Sequence, residues 1–288
     1  MFKKLLLMAM VLSLAVVGPS AVLAGNGAGT AGEGRMEANG NAGGPRQLEV
    51  RSQAGVQANA EAGEAGGLMQ ATRRCLQKMQ RTGEPAREEW QALKDNLARL
   101  KQQYRLETRE ENRAEIRAMF KLAVQMAKEQ GEPEEMENLL RDLISLAPGD
   151  PEPYRELGNI YRNRGEKTPK VFCDGNELKP DVPPVIKEGR TLIPIRPITE
   201  ALGATVQWNE RERTVLISKG DTTIQLQVEN RVALVNGRRV ELDVPAENIN
   251  SRVFVPLRFI SEALKAQVGF YPEGQIVTVN QEAVQAQS

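Results

Sequence analysis

The chain has 288 residues, with 38 basic and 38 acidic side chains, two cysteines and no histidine. Balanced charge gives no long-range field to draw in nucleic acid, and no basic stripe is interleaved with aromatics, so no nucleic-acid partner is expected. Without histidine, His-based triads and ordinary copper, zinc or non-haem iron centres are excluded, and two cysteines are too few for a Cys-rich site; no cofactor and no metal is expected.

Residues 1–24 read as a signal peptide. Lys3 and Lys4 supply the positive start, Leu5 to Val17 an apolar run, Gly18-Pro19-Ser20 a break, and Val22-Leu23-Ala24 the small residues at the cleavage positions. The run falls short of the roughly 20 residues that span a bilayer; an uncleaved anchor is the alternative. No cysteine lies near the cleavage site, so lipidation is not expected, and the polar tail 282–288 carries no anchor signal. The expected protein is secreted or cell-envelope associated, with no membrane span after cleavage. Export permits a Cys75–Cys173 disulfide; two unpaired, partly buried thiols are the plainer reading.

Residues 25–67 are rich in Gly, Ala, Asn, Gln and Glu, with Met36, Leu48, Val50 and Val56 as the few larger apolar residues. Such a segment cannot bury enough surface to offset its ordering entropy and reads as a disordered linker.

Residues 68–165 read as helical. Leu68 to Arg81 forms a first helix, stopped by Thr82-Gly83, and Pro85 suits the first turn of the next. Trp90, Leu93, Leu97, Leu100 and Tyr104 then recur on one helical face. The polar stretch Glu107 to Arg113 is either a solvated part of one long helix or a break. Ile116, Phe120, Ala123, Val124 and Ala127 resume the stripe up to Gly131. Pro133 opens a helix carrying Met136, Leu139, Leu140, Leu143 and Ile144, and a last helix runs from Pro151 to about Arg164. These stripes read as core, with a partner groove as the alternative.

Leu146 to Tyr154, followed by Leu157-Gly158 and Tyr161, resembles the junction between tetratricopeptide repeats. A shift by that repeat's period of about 34 residues carries Gly165, Tyr154 and Leu157 onto Gly131, Phe120 and Ala123, while Gly158 falls on Val124. About one and a half repeats are supported over 117–165, and a further shift into 83–116 fails. The resemblance implies a tetratricopeptide-like helical hairpin; an ordinary bundle is the alternative.

Over 169–281 β-branched residues alternate with polar ones, and Asp174-Gly175, Lys219-Gly220-Asp221 and Asn236-Gly237 give turn signals. Residues 171–218 match 233–280 without a gap, with 14 identities in 48 pairs. Asp181-Val182-Pro183 pairs with Asp243-Val244-Pro245. Arg190 and Arg196 pair with Arg252 and Arg258. Ile198, Glu200, Ala201 and Leu202 pair with Ile260, Glu262, Ala263 and Leu264, and Trp208 with Phe270. Each half reads as two strands, a short helix and a hairpin, with Thr222 to Val228 as a strand between the halves. The short helix can bury Ile198, Ala201 and Leu202 only against a sheet. The fold class expected is therefore multidomain: an all-α, tetratricopeptide-like segment, then an α+β domain of two repeated halves whose antiparallel sheets each pack on one short helix.

The doubled pattern resembles the copper amine oxidase N-terminal, or stalk, domain. That family carries a glycine turn, an Arg-x-hydrophobic-Val-Pro-hydrophobic-Arg segment, then Ile-x-Glu-Ala-Leu-Gly-Ala and an aromatic-containing hairpin, and both halves here carry the pattern with local departures. Lys265 and Ser251 stand where the first half has Gly203 and Gly189, Pro197 replaces a small or apolar residue, and Tyr271-Pro272 alters the second hairpin. The resemblance implies a non-catalytic module, because the family's copper-binding histidines lie in a separate catalytic domain. It also implies association with the wall or an extracellular surface.

Four arginines, Arg190, Arg196, Arg252 and Arg258, are candidate contacts for carboxylate or phosphate groups of a wall polymer. The structural reading is stronger: Arg196 and Arg258 sit four residues before Glu200 and Glu262, a spacing for ion pairs. Trp208 and Phe270 can stack on sugar rings, but are expected first to cap the cores of their halves. Asp181 and Asp243 read as turn residues. No carboxylate spacing singles out a glycoside-cleaving pair, and no Gly-rich phosphate loop occurs. The expected function is an exported, non-catalytic binding or structural protein whose stalk domain holds a cell-wall polymer or surface protein. One alternative is a scaffold that captures a protein partner through its helices; a weaker one is an extracytoplasmic hydrolase.

Overall fold

A helix runs through residues 66–82 (α1) and stops where Gly83 takes a left-handed φ of 72°. Four more follow: α2 (Arg87–Tyr104), α3 (Glu110–Gln130), α4 (Pro133–Leu146) and α5 (Pro151–Asn163). The structure is a computed structural model that describes residues 66–281. The expected signal peptide, the linker up to residue 65 and the tail lie outside the described residues. Residues 66 and 67, expected in the linker, already belong to α1. Pro85 stands before the Ala86 N-cap rather than inside the first turn of α2.

The apolar stripes are core, as their spacing requires. Leu93, Leu97, Leu100 and Tyr104 are buried on α2, and Ile116, Phe120, Ala123, Val124 and Ala127 on α3. The polar stretch between them is a break, not a continuous helix. Leu106 is left 83% exposed there, and Glu107 organises the turn. Its carboxylate accepts from Asn112 Nδ2 at 2.7 Å and from the Arg109 backbone N–H at 2.9 Å. These two hydrogen bonds, Asn112 first, hold the Glu107 carboxyl down at about 2, from an ordinary 4.5. A depressed carboxylate stabilises the fold above its unfolded pKa and loses that contribution as pH falls through the folded one. Carbon-detected NMR titration is expected to place Glu107 last among the glutamates to protonate. Glu107→Gln is expected to lower stability near neutral pH and to have no effect once the native carboxyl is protonated.

The rest of the chain is β-rich. Its elements are β1 (Lys170–Cys173), β2 (Asn176–Leu178), β3 (Val185–Lys187), β4 (Arg190–Pro194), α6 (Ile195–Ala201), β5 (Thr205–Asn209), β6 (Thr214–Lys219) and β7 (Thr222–Gln227). Then come β8 (Val232–Val235), β9 (Arg238–Glu241), β10 (Glu247–Ile249), β11 (Arg252–Pro256), α7 (Leu257–Ala263), β12 (Ala266–Tyr271) and β13 (Ile276–Gln281). They form three sheets, ordered β12-β13-β1-β2, β10-β11-β4-β3 and β5-β6-β7-β8-β9. The pairings are antiparallel but for one. β1 lies parallel to β13, with Lys170 against Ile276 and Cys173 against Val279. That departs from the all-antiparallel expectation. The first and last strands of the β-rich part run the same way, so they can close a sheet only in parallel. Nor does each sheet belong to one half of the sequence repeat. All three sheets draw strands from both halves.

Both short helices lie against this framework through Ile198, Leu202, Ile260 and Leu264, all buried. Ala201 is exposed, contrary to expectation. The helix stops with Ala201, and the side chain that turns inward at the C-cap is Leu202. The two non-glycine substitutions do not change the backbone. Lys265 adopts φ 60° where Gly203 has 73°, and Ser251 adopts φ 60° where Gly189 has 71°. Each accepts the left-handed conformation that L-residues ordinarily avoid.

Helices and sheet share one core. Phe172 of β1 and Ile276 of β13 are buried in the cluster that holds the helical residues. Tyr154 of α5 stacks on Tyr271 at 5.1 Å between ring centroids and meets Phe172 edge-on at 5.5 Å. Gly158 makes this docking possible: a Cβ there would sit 2.8 Å from the Gly274 backbone nitrogen. Tyr271-Pro272 therefore alters the second hairpin because that hairpin receives α5. Arg141 of α4 adds ion pairs to Glu177 on β2 and to Glu137, and Asn280 Nδ2 donates to the Pro148 carbonyl at 3.2 Å.

Candidate functional site

The candidate residues, four arginines and two aromatics, do not form one site. Arg190 and Arg258 line a cleft of about 480 Å³ together with Ile186, Val240, Phe259 and Phe270. Short strands β3 and β9, helix α7 and strand β12 supply its walls. Trp208 lines a different concavity, of about 560 Å³, with Gln207, Leu216 and Gln225. Arg196 and Arg252 line neither.

Neither aromatic caps a core. Phe270 is 53% exposed and Trp208 39%. Each shares a strand face with the valine two residues before it, Val206 or Val268, and it is the valine that packs against the core while the aromatic lies past the core's edge. The Trp208 indole N–H is taken by Glu210 in the following turn. Phe270 stands among other exposed apolar side chains of the cleft, Ile186 at 49% and Val240 at 36%.

The arginines are largely engaged. Arg190 Nε donates to Asp243 Oδ2 at 2.5 Å, and Arg252 donates to Asp181 Oδ2 through Nε at 3.0 Å and Nη2 at 2.6 Å. The hydrogen bond from Arg252 holds the Asp181 carboxyl below its ordinary value. Asp181 and Asp243 are thus not only turn residues. Each answers the arginine of the opposite repeat unit. Sequence reasoning missed this cross-pairing, although the doubled Asp-Val-Pro and Arg positions both advertised it. Arg196–Glu200 and Arg258–Glu262 approach to 4.0 Å, too far for hydrogen bonds, with all four side chains exposed. Such exposed pairs contribute little.

The cleft therefore offers an apolar floor with an aromatic ring, and a rim of guanidinium and carboxylate groups in near balance: Arg190 and Arg258 against Asp243, Glu241 and Glu262. That suits a neutral ligand with an apolar face and hydroxyl edges better than a phosphate or carboxylate. Ile186, Val240 and Phe259 were not singled out from the sequence. Ile186 carried a signal, because the matching position in the second half is Asn248.

Among the described residues no group of three or more Cys, Asp and Glu side chains is placed to hold a metal ion. Both cysteines are free, Cys173 being buried with its thiol pushed up to about 12 by that burial. Each carboxylate whose pKa clearly departs from its ordinary value is lowered: Glu89, Glu107, Glu110, Glu137, Asp150 and Asp181. No helix of the described residues is long and apolar enough to cross a membrane.

Residues 172–279 match the family model of the copper amine oxidase N-terminal domain. The match supports a copper amine oxidase N-terminal-like domain in these residues, which in that family is a non-catalytic, stalk-like domain. No curated protein matches the chain.

Proposed function

We propose that this chain, which carries a copper amine oxidase N-terminal domain, is an exported, non-catalytic binding protein of the cell envelope or extracellular space. The cleft around Phe270 holds a sugar ring of a cell-wall polymer. The observation that carries the reading is the exposed ring of Phe270, set in an apolar cleft whose rim pairs guanidinium with carboxylate. A pyranose stacks its C–H face on such a ring and bonds its hydroxyls to such a rim. The signal-peptide pattern of residues 1–24 supports export. In this reading the domain is two repeated halves. Matching elements begin 62 residues apart, as at Lys170 and Val232 or at Ile195 and Leu257.

The rival is a scaffold acting through tetratricopeptide-like helices. It has less support, because Leu139, Leu140, Leu143, Ile144, Tyr154 and Leu157 are buried in the core shared with the sheet. The test is co-sedimentation of the full mature chain with isolated wall sacculi. Saturable pelleting is expected, weakened about tenfold by Phe270→Ala with an unchanged melting temperature. Pelleting unaffected by Phe270→Ala would move the site elsewhere, and no pelleting would sink the wall-binding reading.

A further inference from the structure

The 62-residue repeat pairs hairpin β1–β2 with hairpin β8–β9, yet their surroundings differ. The outer strand β2 lies under α4, where Arg141 pairs with Glu177, and a Cβ on Gly175 would meet the Ile144 carbonyl at 2.6 Å. The outer strand β9 is the edge of its sheet, exposed along its length, and nothing lies within 4 Å of where a Cβ on Gly237 would be.

The ladder shows which backbone groups of β9 are free. Leu242 N–H donates to Arg231 O at 2.7 Å, and Val240 is aligned with Ala233 and Arg238 with Val235. Hydrogen-bonded positions alternate in an antiparallel ladder, so Arg238, Val240 and Leu242 face β8. Arg239 and Glu241 turn their N–H and C=O groups outward, to an edge without a partner strand. Neither side chain forms an ion pair with any described residue.

We propose that this edge pairs with the same edge of a second copy of the chain. An antiparallel partner must bond through the outward groups, which leaves three registers. Arg239 opposite Arg239 and Glu241 opposite Glu241 both set like charges together. The third sets Arg239 opposite the partner's Glu241 and Glu241 opposite the partner's Arg239, with the two Val240 residues facing across the two-fold axis. Charge selects that register, and it is self-complementary, as an isologous interface must be. The axis stands perpendicular to the sheet, so both copies present Val240, and the clefts it lines, on the same side. If the wall-binding reading above holds, the dimer carries two sugar sites facing one way and binds a polymer with avidity.

The test is sedimentation equilibrium on the full mature chain over a wide concentration range. It does not depend on any ligand, so its failure is separate from failure of the wall-binding reading. A reversible monomer–dimer equilibrium is expected. R239E is expected to weaken it about tenfold or more, since both cross-strand pairs become repulsive. The double swap R239E/E241R restores opposite charges in the same register and is expected to restore the dimer. Arg239→Pro removes only an outward N–H, which edge strands tolerate, and is expected to abolish dimerisation while the far-UV spectrum and melting temperature stay native. A chain that stays monomeric at the highest soluble concentration overturns the proposal. So does a dimer indifferent to R239E and Arg239→Pro, or one that the double swap leaves dissociated.

Discussion

Gly158→Leu is expected to separate the helical region from the sheet it docks on, at a net cost of about 2 kcal/mol. The glycine lies where α5 crosses the loop between β12 and β13, and a Cβ would come 2.8 Å from the Gly274 nitrogen and 3.1 Å from the Glu273 Cβ. The neighbour is backbone, so it cannot rotate away. A Cβ at Gly274 would in turn meet the Gly158 Cα at 2.5 Å, so neither chain can yield for the other. Overpacking of this kind costs about 1–3 kcal/mol and occasionally more. Relief from a mid-helix glycine returns at most about 1 kcal/mol. The expected readout is a lower denaturation midpoint together with new protease sensitivity between α5 and β1. A midpoint equal to or above that of the native chain would contradict the close crossing.

Phe254→Ala should cost more, about 3–5 kcal/mol, the usual range for deleting a buried phenylalanine ring. Phe254 is fully buried in a small cluster with Leu192 and Val244, and Val182, Val185 and Ile249 pack around it. The cluster is separate from the two larger ones, so few neighbours can close the hole. Its strand, β11, pairs with β4 and β10. The loss should therefore appear as a cooperative drop in stability of the whole β-rich region. Leu216→Ala makes the control: that side chain is 40% exposed and its loss should be nearly neutral. Comparable losses from both variants would refute the core assignment.

Much of this architecture was legible in the chain. The helical stripes named their own buried faces, because a stripe at spacings of three and four can be satisfied only by packing. Asn236-Gly237 announced a hairpin that both residues make with positive φ, 50° and 77°. What could not be read was pairing between distant segments. The alternation in β1 and β13 says that each is a strand, but nothing local says that they lie side by side and parallel. Gly158 looked like a lapse in a helical repeat, and its reason sits more than a hundred residues away at Gly274. The site suffered similarly. The arginines were found by recurrence, but their carboxylate partners lie across the repeat. Hydrophobicity alone places Phe270 in the core, but Val268 on the same strand face and Val277 opposite it fill that place.

The parallel pairing of β1 with β13 also sets when the molecule can become complete. A chain leaves the ribosome from its N-terminus, and most domains begin to fold in that order. Here the strand that flanks β1 is Ile276–Gln281, the last described element to be made. The same late segment delivers Tyr271 to Tyr154 and Gly274 to Gly158. Until it emerges, α5 has no finished surface to dock on and Phe172 lacks part of its cover. Contacts this distant in sequence form slowly, because the loop must close before they reward it. The nascent chain is thus held short of its native state by its own topology. For the export proposed above, that delay keeps it threadable until this strand has been made.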